Sequence, residues 1–135
     1  MKLIITIFFT CYAGLLFGQI SYSSTYTEFL NDGDIELIPR LININEKEIE
    51  IISFTPEGAK VYQTLYIEEI IESLDNRLPS RIFNCRSLDS KTLYQVKIPV
   101  KRKVQEIFLT QVNLTTERIH DLKFIIDSKA NSNLN

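Results

Sequence analysis

The sequence predicts a mainly β protein, a small antiparallel β-sandwich or a partly open barrel with one short amphipathic helix. The first indication is composition: the chain has three alanines and twenty isoleucines in 135 residues. Alanine favours helices, whereas β-branched isoleucine packs well on a pleated sheet. The second is the alternation of apolar and polar residues in several segments, which is typical of strands with one buried face. An α+β domain with segregated helices is the alternative class.

The N-terminal segment has the pattern of a secretory signal peptide. Lys2 precedes an apolar stretch that runs from Leu3 to Phe17 and is followed by Gly18 and Gln19. A spanning helix needs about 20 apolar residues, so an uncleaved anchor is the less favoured interpretation. We predict that residues 1–19 are removed, which leaves no transmembrane span in a protein of the periplasm, cell surface or medium. Richness in Ile, Asn and Lys suggests an AT-rich bacterial source.

The remaining chain is expected to form a single β-rich domain over residues 20–127, followed by a disordered polar tail at 128–135. One domain of this size is stable without a metal or a disulfide. Cys85 is the only cysteine after position 19, so no intramolecular disulfide is predicted. A free cysteine of this kind is usually buried as a small apolar side chain.

The first half of the domain contains one clear hairpin. Residues 20–34 indicate a loose leader with a possible short strand, and residues 35–45 indicate two short strands or a bent edge strand, because Pro39 cannot donate to a ladder. Residues 47–66 then alternate charged and apolar side chains around Thr55-Pro56-Glu57-Gly58, a type I turn sequence. We predict a β-hairpin there.

The next segment has the spacing of a helix. Apolar residues three and four apart are followed by Pro79, while four acids fill the opposite side; the acids are Glu68, Glu69, Glu72 and Asp75. The pattern predicts an amphipathic helix over residues 67–76, with an extension of the preceding strand as the alternative. The acids then form a solvated helix face rather than the carboxylate pair of a glycosidase.

The second half predicts further strands. Residues 81–88 and 91–100 form two strands joined at Asp89-Ser90, with Tyr94, Val96, Ile98 and Val100 on the buried face. The basic run at 101–103 interrupts the alternation, so a turn or bulge is expected there. Residues 104–114 predict another strand, and residues 117–127 a last strand or short helix.

Few catalytic chemistries are open to this chain. The one histidine, His120, excludes multi-histidine zinc sites and HExxH peptidases. Cys85 and His120 are the only nucleophile and base available, and no oxyanion loop accompanies them. Asp32, Asp34 and Glu36 alternate as calcium ligands do, but the glycine and distal glutamate of an EF-hand are missing, so we predict a solvated turn. No cofactor or metal site is predicted.

Charge is unevenly distributed along the chain. Residues 28–75 carry a balance of −9, and residues 77–103 carry +7. The candidate binding residues for an anionic partner are Arg86, Lys91, Lys97, Lys101, Arg102 and Lys103. The alternative is that neighbouring strands pair these charges across the sheet. Nucleic acid is not expected, because the domain is net acidic and the basic run lacks interleaved aromatic residues.

These observations predict an exported, non-enzymatic binding or structural module of the bacterial cell envelope. Its partner would be a protein or an anionic envelope component, and hairpins with exposed edges suit proteins that bind by strand addition. A second hypothesis is a small-molecule or lipid carrier with an apolar pocket. A third is an enzyme that uses Cys85 or His120.

Overall fold

The computed structural model describes residues 19–75 and 78–127. Within these ranges the chain forms nine strands and no helix. The strands are β1 (Ile20–Phe29), β2 (Asp34–Glu36), β3 (Arg40–Ile44), β4 (Glu48–Phe54), β5 (Lys60–Asp75), β6 (Leu78–Arg86), β7 (Thr92–Pro99), β8 (Glu106–Asn113) and β9 (Ile119–Ile126). Most of the predicted signal peptide and the whole predicted tail at 128–135 lie outside the described residues.

The strands form a closed antiparallel barrel. β3 to β9 follow one another in the sheet, β1 lies beside β3, and β1 also pairs with β9. β2 and β3 lie along the same edge of β1 and together form one interrupted strand. Counted in this way, the barrel has eight strands. The prediction of a β-rich antiparallel fold is confirmed. The sandwich is not confirmed, and the barrel is closed rather than partly open, because the first and last strands meet.

The first strand is longer than the sequence predicts. Residues 20–29 form β1 rather than a loose leader, because β1 has a hydrogen-bonded neighbour on each side. Two of its polar residues, Ser24 and Thr27, are fully buried. Their hydroxyls are paired: Ser24 Oγ donates to the Tyr26 carbonyl at 3.1 Å, and Arg40 Nη1 donates to Thr27 Oγ1. Pairing makes the burial of these hydroxyls tolerable.

The predicted break at Pro39 and the predicted hairpin over residues 47–66 are confirmed. Pro39 lies between β2 and β3, and its carbonyl accepts a hydrogen bond from Phe54 N at 3.0 Å. β4 and β5 form the predicted hairpin. Gly58 N donates to the Thr55 carbonyl at 3.0 Å, and Gly58 has φ +85°, a conformation that glycine adopts without steric cost. The strands at the end of the chain follow as predicted, the last being β9 rather than a helix.

The predicted helix at 67–76 is wrong. The described part of this segment, through Asp75, is the continuation of β5. A bulge between Ile67 and Glu69 adds one residue, so that Ile67 lies opposite Cys85 and Ile70 opposite Phe83. Ile67 and Ile70, which both face inward, are therefore three residues apart instead of two. A spacing of three is also that of residues on one face of a helix. The acids Glu68, Glu69 and Glu72 consequently belong to a strand and not to a solvated helix face.

The inward faces of the strands fill the barrel with one apolar core. Its buried members are Ile42, Ile44, Ile49, Ile51, Leu65, Phe83, Cys85, Val96, Ile98, Val104, Ile107, Leu109, Leu122, Phe124 and Ile126. Cys85 is buried as predicted. Tyr94 is half-buried, whereas Val100, predicted on the buried face, lies past the end of β7 and is exposed.

The two ends of the barrel differ. One end, here called the hairpin end, holds the start of β1, the 45–47 turn, the tip of the β5–β6 hairpin and the 100–105 loop. The opposite end holds the turns 55–59, 87–91 and 114–118. Antiparallel neighbours with short connections place alternate turns at alternate ends.

Candidate binding surface at the hairpin end

The β5–β6 hairpin extends beyond the wall of the barrel. β5 pairs with β4 only as far as Tyr66, and Ile67 N donates to the Lys47 carbonyl at 2.9 Å. From Glu69 to Asp75, β5 pairs with β6 alone in the described residues. The β5 half of this part is largely exposed on both faces, because no described strand lies on its free side, whereas the β6 half pairs with β7 and buries Ser80 and Phe83.

Three apolar side chains are exposed near the far end of this hairpin and at the adjoining end of β7. Leu74 is 75% exposed, Leu78 is 54% exposed and Val100 is 48% exposed. Leu74 lies opposite Pro79 in the strand register, and Val100 N donates to the Pro79 carbonyl at 2.8 Å. Leu74 and Val100 therefore share the face of Pro79, whereas Leu78, opposite Asp75, lies on the other face. Together the three make this end of the hairpin an exposed apolar surface.

A basic loop continues this surface. Lys101, Arg102 and Lys103 directly follow Val100 and are all exposed. Lys101 N donates to the Pro99 carbonyl at 3.1 Å, which turns the chain sharply at the end of β7. We call the surface formed by Leu74, Leu78, Val100, Lys101, Arg102 and Lys103 the contact patch.

Arg81 brings a further cation to the mouth of the barrel. It lies opposite Ile98 in β7 and opposite Glu72 in β5, and its Nε donates to Glu72 Oε1 at 2.8 Å. Tyr22 lines the same mouth. Burial raises the pKa of the Tyr22 hydroxyl and the charge of Arg81 lowers it by less, so the hydroxyl stays protonated at neutral pH.

Two adjoining cavities open at this mouth. They measure about 160 Å³ and 130 Å³ and share four lining residues, Ile20, Ile44, Arg81 and Phe83. The first cavity also reaches Val104 and Lys101, and the second reaches Ile70 and Glu46. Together they form a mainly apolar cleft between β1, β3, β6 and the 100–105 loop.

The structure brings together only half of the six candidate basic residues. Lys101, Arg102 and Lys103 meet in the contact patch, whereas Lys91 lies in the 87–91 turn at the opposite end. The eight residues of β7 separate the two groups by about 27 Å. Lys97 lies on the outer face in mid-strand and is half-buried.

The remaining candidate, Arg86, belongs to a pair across the sheet. Its Nε donates to Glu68 Oε1 at 2.9 Å, so it neutralises an acid of the neighbouring strand. Glu72 and Arg81 form the second such pair, and Asn84 Nδ2 donates to Glu69 Oε2 at 3.3 Å. The acidic strand β5 therefore lies against β6, and two of the opposite charges along the sequence pair there.

Sequence reasoning missed Arg81 and the apolar members of the contact patch. Arg81 sits at an inward-facing position between Phe83 and Pro79 on β6, and a charged residue in an apolar alternation is the signal that could have found it. A helix over 67–76 would place Leu74 on its buried stripe, with Leu78 continuing the same spacing beyond it, so the wrong secondary structure hides the exposure of both residues.

Cys85 and His120 do not meet. Cys85 pairs with Tyr94, Tyr94 with Gln111 and Gln111 with His120, so three strand spacings, about 14 Å along the sheet, separate the two residues. Burial, helped by Glu68, raises the pKa of the Cys85 thiol to about 12. The thiol is therefore protonated at neutral pH, where the nucleophilic form would be the thiolate.

One of the three acids predicted to form a solvated turn, Asp32, Asp34 and Glu36, takes part in an ion pair. Arg40 Nη2 donates to Glu36 Oε1, which engages that carboxylate in an ion pair. Among residues 19–75 and 78–127, no cluster of three acidic, cysteine or histidine residues is arranged to hold a metal ion.

No helix in the described part of the chain is long and apolar enough to cross a membrane. Comparison with protein-family models, with curated proteins and with solved structures gave no match.

Proposed function

We propose that the protein is an exported, non-enzymatic binding module whose hairpin end rests on an anionic phospholipid surface of the bacterial envelope. The observation that carries this proposal is the contact patch, in which exposed leucines and a valine adjoin three consecutive cations. Surfaces that combine apolar insertion with Lys and Arg bind anionic lipid interfaces. Exposed apolar side chains that are contiguous and rimmed by charge are typical of interaction sites.

The positions of the charged side chains indicate which side of the hairpin end would face the lipid headgroups. The cations of the contact patch lie on the 100–105 loop, while the nearest exposed acid lining the cleft, Glu46, lies on the far side of the barrel mouth. The barrel would therefore tilt so that the loop and Leu78 approach the headgroups first.

Vesicle binding tests the proposal. Co-sedimentation with phosphatidylglycerol vesicles should be strong at low salt and should weaken as salt rises, while phosphatidylcholine vesicles should bind little. Reversing all three cations (K101E, R102E, K103E) should weaken binding by at least about 100-fold, since each cation near an anionic surface contributes about 1 kcal/mol.

A matched variant at the opposite end provides the control. Lys60, Lys91 and Arg118 are exposed there, so the triple reversal K60E, K91E, R118E changes net charge equally. If the two triple variants lose binding equally, net charge rather than the contact patch is responsible and the proposal fails. Absence of binding to phosphatidylglycerol by the unaltered protein also overturns it.

Strand addition by a protein partner is the second candidate. The observation in its favour is the edge of β5 from Glu69 to Asp75, which lacks a neighbour on one side among the described residues. It is placed second because this edge carries Glu69 and Glu72, and charged edges oppose strand pairing. Protection of these amides from hydrogen exchange by a partner protein, with no vesicle binding, would favour it over the first.

The carrier and enzyme hypotheses receive less support. A carrier encloses its ligand within the barrel, whereas apolar side chains fill this interior and the cavities around it open to the surface, two at the mouth and one of about 350 Å³ beside Cys85, Leu93 and Tyr94. An enzyme using Cys85 and His120 would need the two groups within hydrogen-bonding distance.

A further inference from the structure

The cleft at the hairpin end has an apolar floor, with two cationic side chains at one side and Glu46 at the other. Ile44, Phe83, Ile98 and Val104 form the floor and are buried, so an occupant would displace little polar surface. The two adjoining cavities make the cleft elongated, running from the 100–105 loop to the 45–47 turn. An elongated apolar cleft suits an extended hydrocarbon chain rather than a compact polar molecule.

The polar groups at the loop side favour an anion. The guanidinium of Arg81 and the side chain of Lys101 both line the first cavity, together with Tyr22. No carboxylate lines this cavity among the described residues, whereas Glu46 stands at the far rim of the second cavity. An anionic headgroup would therefore be stabilised beside Arg81 and Lys101 and repelled at the opposite rim.

We propose that this cleft binds one amphipathic anion, with a single alkyl chain across Ile44 and Phe83 and its carboxylate or phosphate headgroup between Arg81 and Lys101. The inference rests on the proposed function only for the source of the ligand, which would be a lipid of the surface beneath the contact patch. A free amphiphile has the same chemistry, and the experiment separates the two sources.

Octyl phosphate, kept below its micelle concentration, is the probe for the full chain. Octyl phosphate binding should saturate at one equivalent. Inorganic phosphate lacks the alkyl chain and octyl glucoside lacks the anionic headgroup that pairs with Arg81, so each should bind at least about tenfold more weakly. In methyl NMR spectra, the signals of Ile20, Ile44 and Ile98 should shift, while that of Ile119 at the opposite end should not. Equal binding of octyl glucoside, or shifts centred on Ile119, would overturn the inference.

Two variants distinguish failure of this inference from failure of the proposed function. Ile20→Trp, at a partly exposed position that lines both cavities and lies outside the contact patch, fills the cleft and should abolish saturable octyl phosphate binding while phosphatidylglycerol vesicles still bind. R102E with K103E alters residues that line neither cavity, so it should weaken vesicle binding and leave octyl phosphate affinity within about twofold. If octyl phosphate binds as described but vesicles do not, the ligand is a free amphiphile and only the membrane proposal fails. If I20W does not fold, the methyl shifts of the unaltered protein decide.

Discussion

Arg81 Nε donates a 2.8 Å hydrogen bond to Glu72 Oε1, and this pair joins the two strands of the hairpin at the mouth of the barrel. Both side chains are partly exposed, so the pair contributes at most about 1 kcal/mol to the free energy of unfolding. Its main consequence is electrostatic, because Glu72 competes with any bound anion for the guanidinium.

Glu72→Gln should therefore strengthen octyl phosphate binding. The expected gain is up to about fivefold, which corresponds to the upper value for an exposed ion pair. Isothermal titration with the unaltered protein and with E72Q checks it. Glu57→Gln, in the exposed 55–59 turn at the opposite end, changes charge equally and should leave the affinity unchanged.

Arg40 anchors the interior toward the opposite end. Its side chain is 14% exposed, and it donates to Ser53 Oγ at 2.9 Å, to Thr27 and to Glu36, with its guanidinium 5.9 Å from the centre of the Phe124 ring. Arg40→Met should lower the free energy of unfolding by about 2–4 kcal/mol, because it leaves Glu36 and Thr27 without this partner. Urea unfolding measures the loss.

The double variant R40M with E36Q should recover part of that stability, since the unpaired carboxylate is removed as well. The ammonium of Lys60 lies 5.9 Å from the centre of the Phe54 ring on the surface. Lys60→Met should therefore lower the free energy of unfolding by less than about 1 kcal/mol. A double variant less stable than R40M alone would contradict this account of the pair.

Cys85 should make stability fall at alkaline pH. The folded thiol has a pKa of about 12 against an ordinary value of 9.0, so the unfolded chain releases its proton first. The contribution of the thiol to stability is complete below pH 9 and declines by up to about 1.4 kcal/mol per pH unit above it. The stability difference between the unaltered protein and Cys85→Ala should shrink over this range, and a constant difference would refute the assignment.

Lys123 holds the seam where the barrel closes. Its Nζ lies 3.0 Å from Glu28 Oε2 on β1 and 3.7 Å from Glu106 Oε2 on β8. The hydrogen bond to Glu28 and the two negative charges raise the pKa of the Lys123 ammonium, so its contribution is present at neutral pH and is lost as the pH rises through that pKa.

Lys123→Met should therefore cost up to about 1 kcal/mol at neutral pH and less in strong salt, because the three side chains are partly exposed. Lys91→Met in the exposed turn provides a comparison with the same change in charge. Equal losses from both variants, measured by urea unfolding, would show that the seam contacts add nothing.

Local sequence patterns predicted the elements whose conformation is determined by neighbouring residues. The hairpin at 47–66 followed from its alternation and turn sequence, and the break at Pro39 followed from the missing N–H. Closure of the barrel depends on β1 meeting β9, and no local pattern reports a pairing between strands so far apart in the chain. β1 was predicted only as a possible short strand, because its buried positions include Ser24 and Thr27, whose burial depends on partners elsewhere.

The candidate surface was predictable only in part. The run at 101–103 was visible as three consecutive cations, but its three companions in the predicted set lie elsewhere, one of them paired with Glu68. The bulge after Ile67 hid the exposed hairpin by giving it helical spacing. Arg81 joined the site through the pairing of β6 with β5 and β7, which is a property of the whole sheet.

The closing pair of strands also places the two ends of the domain side by side. β1 begins and β9 ends at the hairpin end, and Asp127 N donates to the Ser23 carbonyl at 2.8 Å. An affinity tag or fluorescent protein joined directly before Ile20 or after Asp127 would therefore lie at the same end of the barrel as the contact patch. Leu88, 83% exposed in the 87–91 turn, offers an attachment site about one barrel length away. A circular permutant opened at that turn, with its original ends joined by a short linker, would keep every strand pairing and leave the hairpin end unobstructed.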